Sequence, residues 1–257
     1  MKFDIITIFP EALKNYFSSS IIGRAVKKGL IKINLCDLRD YASNKRRTVD
    51  DKPFGGGPGM ILKIEPITEA ISSILRNSKF RISDSKQISK SLRYAEGFGK
   101  ASKFQTRIIL LSAKGKLFTQ REAQRLAKYK QIVLICGHYE GIDERAAKYL
   151  ADEELSIGEY VLSGGELPAA VVVDAISRLV PGVLGKHESL RDESFSNLGY
   201  LEYPQYTRPE IFRPKVRTRT KSSKDAKSKI KEWKVPKILL SGDHKKIQEW
   251  RKSHSGG

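Results

Sequence analysis

The sequence predicts an α/β fold built on a parallel sheet, and three features carry that prediction. Ile108 to Leu111 and Ile132 to Cys136 are short, continuous apolar runs rich in β-branched residues, the composition of strands buried on both faces. Between them Thr119 to about Tyr129 has helical spacing, with Glu122 three residues after Thr119 as in a capping box, so the order strand, helix, strand implies parallel pairing. Glycine loops then follow apolar segments: Gly137 and Gly141 after Cys136, and Gly158, Gly164 and Gly165 after Ile157. In such sheets the loops at the carboxyl ends of the strands are where ligands bind.

The elements follow in order. Lys2 to Ile8 is strand-like, and Pro10 to Phe17 is helical with proline in its first turn, where a missing N–H costs nothing. Ile21 to Lys28 is a second helix closed by Gly29. Leu30 to Leu38 alternates Ile31, Ile33 and Leu35 with Lys32 and Asn34, the pattern of a half-buried strand. Arg39 to Pro58 is polar and turn-rich, ending in the run Gly55-Gly56-Gly57-Pro58-Gly59, and Ile64 to Arg76 is a helix with Ile67, Ala70, Ile71 and Ile74 on its apolar side. The stretch from about 77 to 105 is Ser- and Lys-rich with few apolar residues and reads as a mobile insertion. Ile142 to Arg145 is a polar helix start, and Pro168 opens a helix that Ala169 to Val180 continues.

A chain of 257 residues with 39% apolar residues is long enough for one large domain or two modest ones. Its formal charge of +19, from 48 Lys and Arg against 29 acids, fits a polyanion partner, nucleic acid before membrane. No apolar run approaches the roughly 20 residues of a spanning helix, and MKFDIITIFPEAL is too short in its apolar part for a signal peptide. Cys36 and Cys136, the only cysteines, sit in strands as small hydrophobes, which points to a reducing cytoplasm. His138, His187, His244 and His254 show no metal-ligand spacing. Neither a P-loop signature nor G-x-G-x-x-G between a strand and a helix is present, which weakens ATP and NAD readings. Any one glycine makes only a tight turn, but two glycine loops together uncover backbone groups for a flat heterocycle and its ribose.

The motifs TVDDKPFGGGPGM, GHYEGIDER, SIGEYVLSGGELPA, DAISRLVPGVLG, ESFSNLGYLEYPQYTRPE and SGDHKKIQEWR, in that order, closely resemble the bacterial tRNA (guanine-37-N1) methyltransferases of the SPOUT class. The resemblance covers most of Met1 to Arg213 and returns near the end. It implies a parallel sheet with a deep trefoil knot, followed by a small, mainly α-helical C-terminal domain. It also implies S-adenosylmethionine as methyl donor, tRNA as substrate, and a homodimer whose active site is shared between subunits. A magnesium ion is expected too, although no residue cluster announces a site. The domains would be a knotted cofactor domain over 1–185, a linker over 186–198 and a basic helical tRNA-binding domain over 199–257. Tyr200, Tyr203 and Tyr206 there either stack on unpaired bases or pack inward. Arg213 to Lys234 is strongly basic and reads as a disordered tether, in which the run from Pro214 to Lys231 is additional to the usual family pattern; Ile238 to Leu240 and a helix from Asp243 to about Lys252 resume order.

Carried over residue by residue, the cofactor pocket would use Ser112 and Gly115 after the Ile108 strand, then Gly137 and Glu140 after the next. Its far side would be Ile157, Gly158, Glu159, Tyr160, Val161 and Leu162, with Gly164, Gly165 and Pro168 closing it. The chemistry asks for more, because N1 of guanine carries a proton at neutral pH: a base is needed at N1 and a positive group at O6. The family places these on Glu193, usually an aspartate, and on Arg178; Asp192 is the neighbouring rival, and Arg178 also stands at i,i+4 spacing from Asp174. A non-catalytic RNA-binding protein would explain the charge but not the pocket. A methyltransferase acting on ribosomal RNA or on ribose would keep the cofactor loops with less need of a base.

Overall fold

The computed structural model of the chain describes residues 1–77, 106–185, 193–197, 199–214 and 232–256. The chain divides into two compact units, Met1–His187 and Glu188–Gly257. The expected insertion, most of the linker including Glu188 and Asp192, and most of the basic tether lie outside the described residues.

The first unit begins with strand β1 (Lys2–Thr7), helices α1 (Pro10–Ser18) and α2 (Ser20–Lys27), and strand β2 (Lys32–Asp37). Gly29 takes a left-handed φ of 71°, which ends α2 and turns the chain into β2. A 3-10 turn (Leu38–Tyr41) and a short antiparallel pair, β3 (Asp50–Asp51) and β4 (Ile61–Leu62), lead to α3 (Ile64–Arg76). There follow β5 (Thr106–Leu117), α4 (Gln120–Leu126), β6 (Gln131–Cys136), α5 (Glu144–Tyr149), β7 (Glu153–Ser156) and α6 (Glu166–Ser177). The strands form one parallel sheet in the order β2-β1-β6-β5-β7. The pairing inferred for the two apolar runs is present, from Ile108 opposite Val133 to Leu111 opposite Cys136.

Period-two alternation sends side chains to two cores, one on each face. Phe3, Ile5, Ile109, Leu111, Ile132 and Leu134 meet Leu13, Phe17, Ile22, Ala123, Leu126 and Val173 from α1, α2, α4 and α6. Ile6, Ile108, Leu110, Val133 and Ile135 meet Ile67, Ile71 and Ile74 of α3 and Ala146 of α5. All of β6 is buried, which is why its sequence lacks any polar alternation until the terminal Gln131. At the amino ends of the strands a polar chain replaces apolar packing. Buried Asp4 accepts from Asn34 Nδ2 and Gln131 Nε2, both at 2.7 Å, and Gln131 accepts from the Thr106 hydroxyl at 3.2 Å. That chain ties four adjacent strands, β2, β1, β6 and β5, together and leaves the carboxyl ends for the site.

The end of β5, the start of α6 and the cap of α4 differ from the sequence expectation. β5 runs six residues beyond Leu111, to Leu117, because a register shift between Leu111 and Lys116 lets it stay paired to β7 past an irregularity. α6 begins at Glu166, so Pro168 is its third residue rather than its first and still falls in the turn whose N–H groups have no helical partner. Thr119 stands at the N-cap of α4 but makes no side-chain cap bond, and Glu122 is drawn away from the capping box. Its carboxylate instead accepts from Lys116 (2.6 Å) and Arg125 (2.7 Å).

The second unit holds, among its described residues, one α-helix, α7 (His244–His254), a 3-10 turn (Lys237–Leu240) and the antiparallel pair β8 (Ile211–Phe212) and β9 (Trp233–Lys234). The last residues of the expected tether are thus strand, held by Phe212 against Trp233 at 5.5 Å and by Arg213 on Glu232. Asp243 caps α7 by accepting from Lys246 N–H. Tyr206 packs beside Trp250, and Arg251 lies over the Tyr203 ring at 4.8 Å, so these two tyrosines have partners inside the unit.

Candidate functional site

A cavity of about 310 Å³ opens at the carboxyl ends of β5, β6 and β7. That volume is at the lower end of the usual range for small-molecule clefts. One wall is the turn after β6, from Gly137 to Ile142. The turn is closed by Gly141 N–H donating to the His138 carbonyl at 3.1 Å, with Gly141 at a φ of 133° that a β-carbon would oppose. The β3–β4 strap holds it from outside: Glu140 N–H donates to Met60 O, Leu62 N–H to Gly141 O and Asp143 N–H to Leu62 O, at 3.0–3.1 Å. Gly59 lets the strap pass directly over Glu140, since a β-carbon there would lie 2.4 Å from Glu140 Cγ. Asp143 then caps α5; hydrogen bonding from the Arg145 side chain holds its carboxyl below the usual aspartate range.

The opposite wall is Ser156 to Gly165, reaching Pro168 in α6. Tyr160 folds back so that its ring covers Gly158 and its hydroxyl donates to Ile157 O at 3.3 Å. The two walls are stitched by Gly165 N–H donating to Gly137 O at 2.8 Å and by a bridge between His138 and Gly164. Gly165 has a specific reason to be glycine: its missing β-carbon would lie 2.6 Å from Cys136 Cα and 2.9 Å from Gly137 N, backbone atoms that cannot swing aside. Leu110 to Lys114 of β5 close the third side, where Lys114 pairs with Glu144 across the rim at 2.8 Å. Both partners are well exposed, so the pair contributes little stability. Burial, with Glu166 second, pushes the Cys136 thiol well above its ordinary value, and it stands as packing rather than nucleophile.

Of the cofactor residues inferred from the sequence, Ser112, Gly137, Glu140, Ile157, Gly158, Tyr160, Val161, Leu162, Gly164, Gly165 and Pro168 lie on this one cavity. Gly115 and Glu159 do not. Gly115 serves the sheet: a β-carbon on it would meet Leu155 N at 2.6 Å, so glycine is what lets the irregular part of β5 lie against β7. Arg178 follows α6 as its C-cap, off the cavity wall, its N–H donating to Asp174 O at 3.1 Å. The Asp174 carboxylate accepts from Tyr16. Glu193 belongs to the second unit and opens a turn in which its carbonyl accepts from Ser196 N–H at 3.0 Å. His138, Tyr139, Glu144 and Glu154 also line the cavity and were not inferred. His138 and Tyr139 sit inside the GHYEG motif, the signal that could have found them. Among the described residues no group of three His, Cys, Asp or Glu side chains is placed to hold a metal ion, and no helix is long and apolar enough to cross a membrane.

Comparisons with known proteins agree on one family. The model of the family described as tRNA (Guanine-1)-methyltransferase TrmD matches residues 1–257. A tRNA (guanine-N(1)-)-methyltransferase of Geobacillus kaustophilus is 45% identical over 255 residues, 99% of this chain and 86% of that protein. One from Dehalococcoides mccartyi is 42% identical over the same shares. The crystal structure of a tRNA (m1G37) methyltransferase from Aquifex aeolicus superposes with a TM-score of 0.68 at 33% identity, covering 99% of this chain and 88% of that one.

Proposed function

The chain belongs to the tRNA (guanine-1)-methyltransferase family, and from that membership we propose that it methylates N1 of guanosine 37 in tRNA with S-adenosylmethionine, bound in the cavity at the carboxyl ends of β5, β6 and β7. The observation that carries the site is the stitching of two glycine loops around one cavity, with Gly165 packed against backbone where no side chain fits. Gly137 and the segment from Ile157 to Leu162 would hold the adenosine largely through backbone, and Glu140, fixed under Gly59, would meet polar atoms of the ligand. S-adenosylmethionine supplies a methyl group on a sulfonium, already a good leaving group. The chain's own work is then on the nucleophile. Glu193 would take the N1 proton of guanine, so that the N1 electron pair is free to accept the methyl group as the cofactor's sulfonium leaves as a thioether. Arg178 balances the charge that develops at guanine O6.

The assembly proposed with this chemistry is a homodimer sharing its active site. Leu167 is 66% exposed and Val171 45% exposed, one helical turn apart on α6, with Phe9 and Val161 also exposed on the same unit; apolar surface of this kind suits a subunit contact. A deep trefoil knot is proposed for the sheet domain. It is supported by the path of the chain, which leaves edge strand β7, crosses to the β6 turn and enters α6 beside α1 and α4. The second unit and its basic approach would hold tRNA, in keeping with a charge of +19. The family resemblance adds a magnesium ion, for which the described residues offer no cluster.

Nucleoside analysis of tRNA after reaction with purified protein and S-adenosylmethionine tests the reading. It predicts 1-methylguanosine at position 37 alone, lost when guanosine 37 is replaced. Methylation of ribose, or of ribosomal RNA in preference to tRNA, would overturn it.

A further inference from the structure

We infer that His138 is a further ligand-contacting residue of the cavity, held in one tautomer by Glu166 so that Nε2 is the nitrogen offered to the bound cofactor. The inference rests on the cavity being the S-adenosylmethionine site. Three elements converge here. The Thr7 hydroxyl, at the end of β1, donates to Glu166 Oε1 at 2.6 Å and accepts from Phe9 N–H at 2.9 Å, which fixes one oxygen of a carboxylate whose residue is only 8% exposed. The other oxygen, Oε2, lies 3.9 Å from His138 Nδ1, a buried atom with no hydrogen-bond partner among the described residues. Gly164 makes the approach possible. A β-carbon there would stand 2.4 Å from Glu166 Oε2 and 2.6 Å from His138 Nδ1.

The tautomer of the neutral ring follows from this placement. A lone pair on Nδ1 would face a buried carboxylate oxygen with no compensating bond, whereas an N–H on Nδ1 is drawn toward that oxygen. Of the two neutral tautomers this placement favours the one with the proton on Nδ1 and the lone pair on Nε2. Ring orientation is set by edge contacts to Phe9 and Tyr139, each at 4.9 Å between centroids, with the Arg39 guanidinium stacked behind Phe9. The ring is part of the cavity lining and its side chain is 21% exposed, while Nδ1 contributes nothing to that exposure. Nε2 is then an acceptor for an N–H or O–H of the ligand, and Thr7 and Glu166 are positioning residues that act through the ring.

Side-chain ¹⁵N NMR of the full chain, with His138 assigned from the His138→Gln spectrum, reads the tautomer directly. The expected result is Nδ1–H in the wild type and a shift toward Nε2–H in Glu166→Gln. Calorimetry with S-adenosylmethionine reads the contact: His138→Phe, which keeps a ring but no acceptor, should bind about 10-fold more weakly, the worth of one hydrogen bond. His138→Gln, which restores an acceptor, should recover most of that loss. An Nε2–H ring in the wild type, or wild-type affinity in His138→Phe, would overturn the inference. Failure of the wild-type chain to bind S-adenosylmethionine at all would remove the cavity's assignment and this contact with it, leaving the ring's tautomer as a separate measurement.

Discussion

Replacing Gly165 by alanine adds one methyl group at the point where the two loops lining the cavity are closest. Its backbone, at φ −83° and ψ −2°, is one that alanine adopts freely, so conformational strain adds nothing and the cost is space alone. The new carbon would lie 2.6 Å from Cys136 Cα and 2.9 Å from Gly137 N. Ordinary carbon contacts are about 3.5–4.0 Å, so the α6 loop must retreat by about 1 Å. Retreat breaks the 2.8 Å bond from Gly165 N–H to Gly137 O. Overpacking of this kind costs about 1–3 kcal/mol and a lost hydrogen bond about 1 more, a total of about 2–4 kcal/mol. For a chain of this size the melting temperature should fall by about 5–15 °C. A displacement of about 1 Å at a binding constellation also costs about 100-fold in function. Differential scanning fluorimetry and calorimetry with S-adenosylmethionine check both. Gly115→Ala is the control, because it meets Leu155 backbone at 2.6 Å but does not line the cavity: it should destabilise while the folded fraction binds cofactor normally. Wild-type melting and affinity in Gly165→Ala would refute the close-approach argument.

Other variants probe the remaining parts of the site. Gly137→Val should abolish S-adenosylmethionine binding in calorimetry while far-UV circular dichroism stays unchanged, because its β-carbon has 3.4 Å to Ile142 and the added methyls crowd the cavity rather than the backbone. Glu193→Gln should slow single-turnover methylation of guanosine 37 by at least about 100-fold with cofactor affinity kept, and Asp192→Asn should be mild; the reverse pattern would shift the base by one residue. Tyr16, whose hydrogen bond to Asp174 raises its phenol to about 12, should show that value in a phenolate absorbance titration against Tyr16→Phe. Because the folded-state value is raised above about 10, the stability this bond adds is complete below pH 10 and is lost as pH rises toward 12. The difference in melting temperature between wild type and Tyr16→Phe should close over that interval.

The parallel pairing of the Ile108 and Ile132 runs, the helices on either side of them and the glycine loops beyond them were legible in the sequence, because burial on both faces and tight turns leave local marks in residue type. Most of the inferred cofactor residues meet on one cavity for the same reason. What local pattern does not hold is who approaches whom. Glu122 has the spacing of a capping box, but Lys116 and Arg125 offer its carboxylate charged partners and win it. Gly115 reads like a loop glycine of the pocket and proves to be a contact between β5 and β7, a fact that depends on a register shift no single strand encodes. Trp233 and Lys234 end a basic run without periodicity, yet they pair with Ile211 and Phe212 some twenty residues earlier. The sheet strands, their helices and the glycine loops are written locally, since they follow from interactions within a few residues. Why Gly165 must be glycine, and which carboxylate the Nδ1 atom of His138 faces, depend instead on backbone and side chains that folding brings within 4 Å from distant parts of the chain.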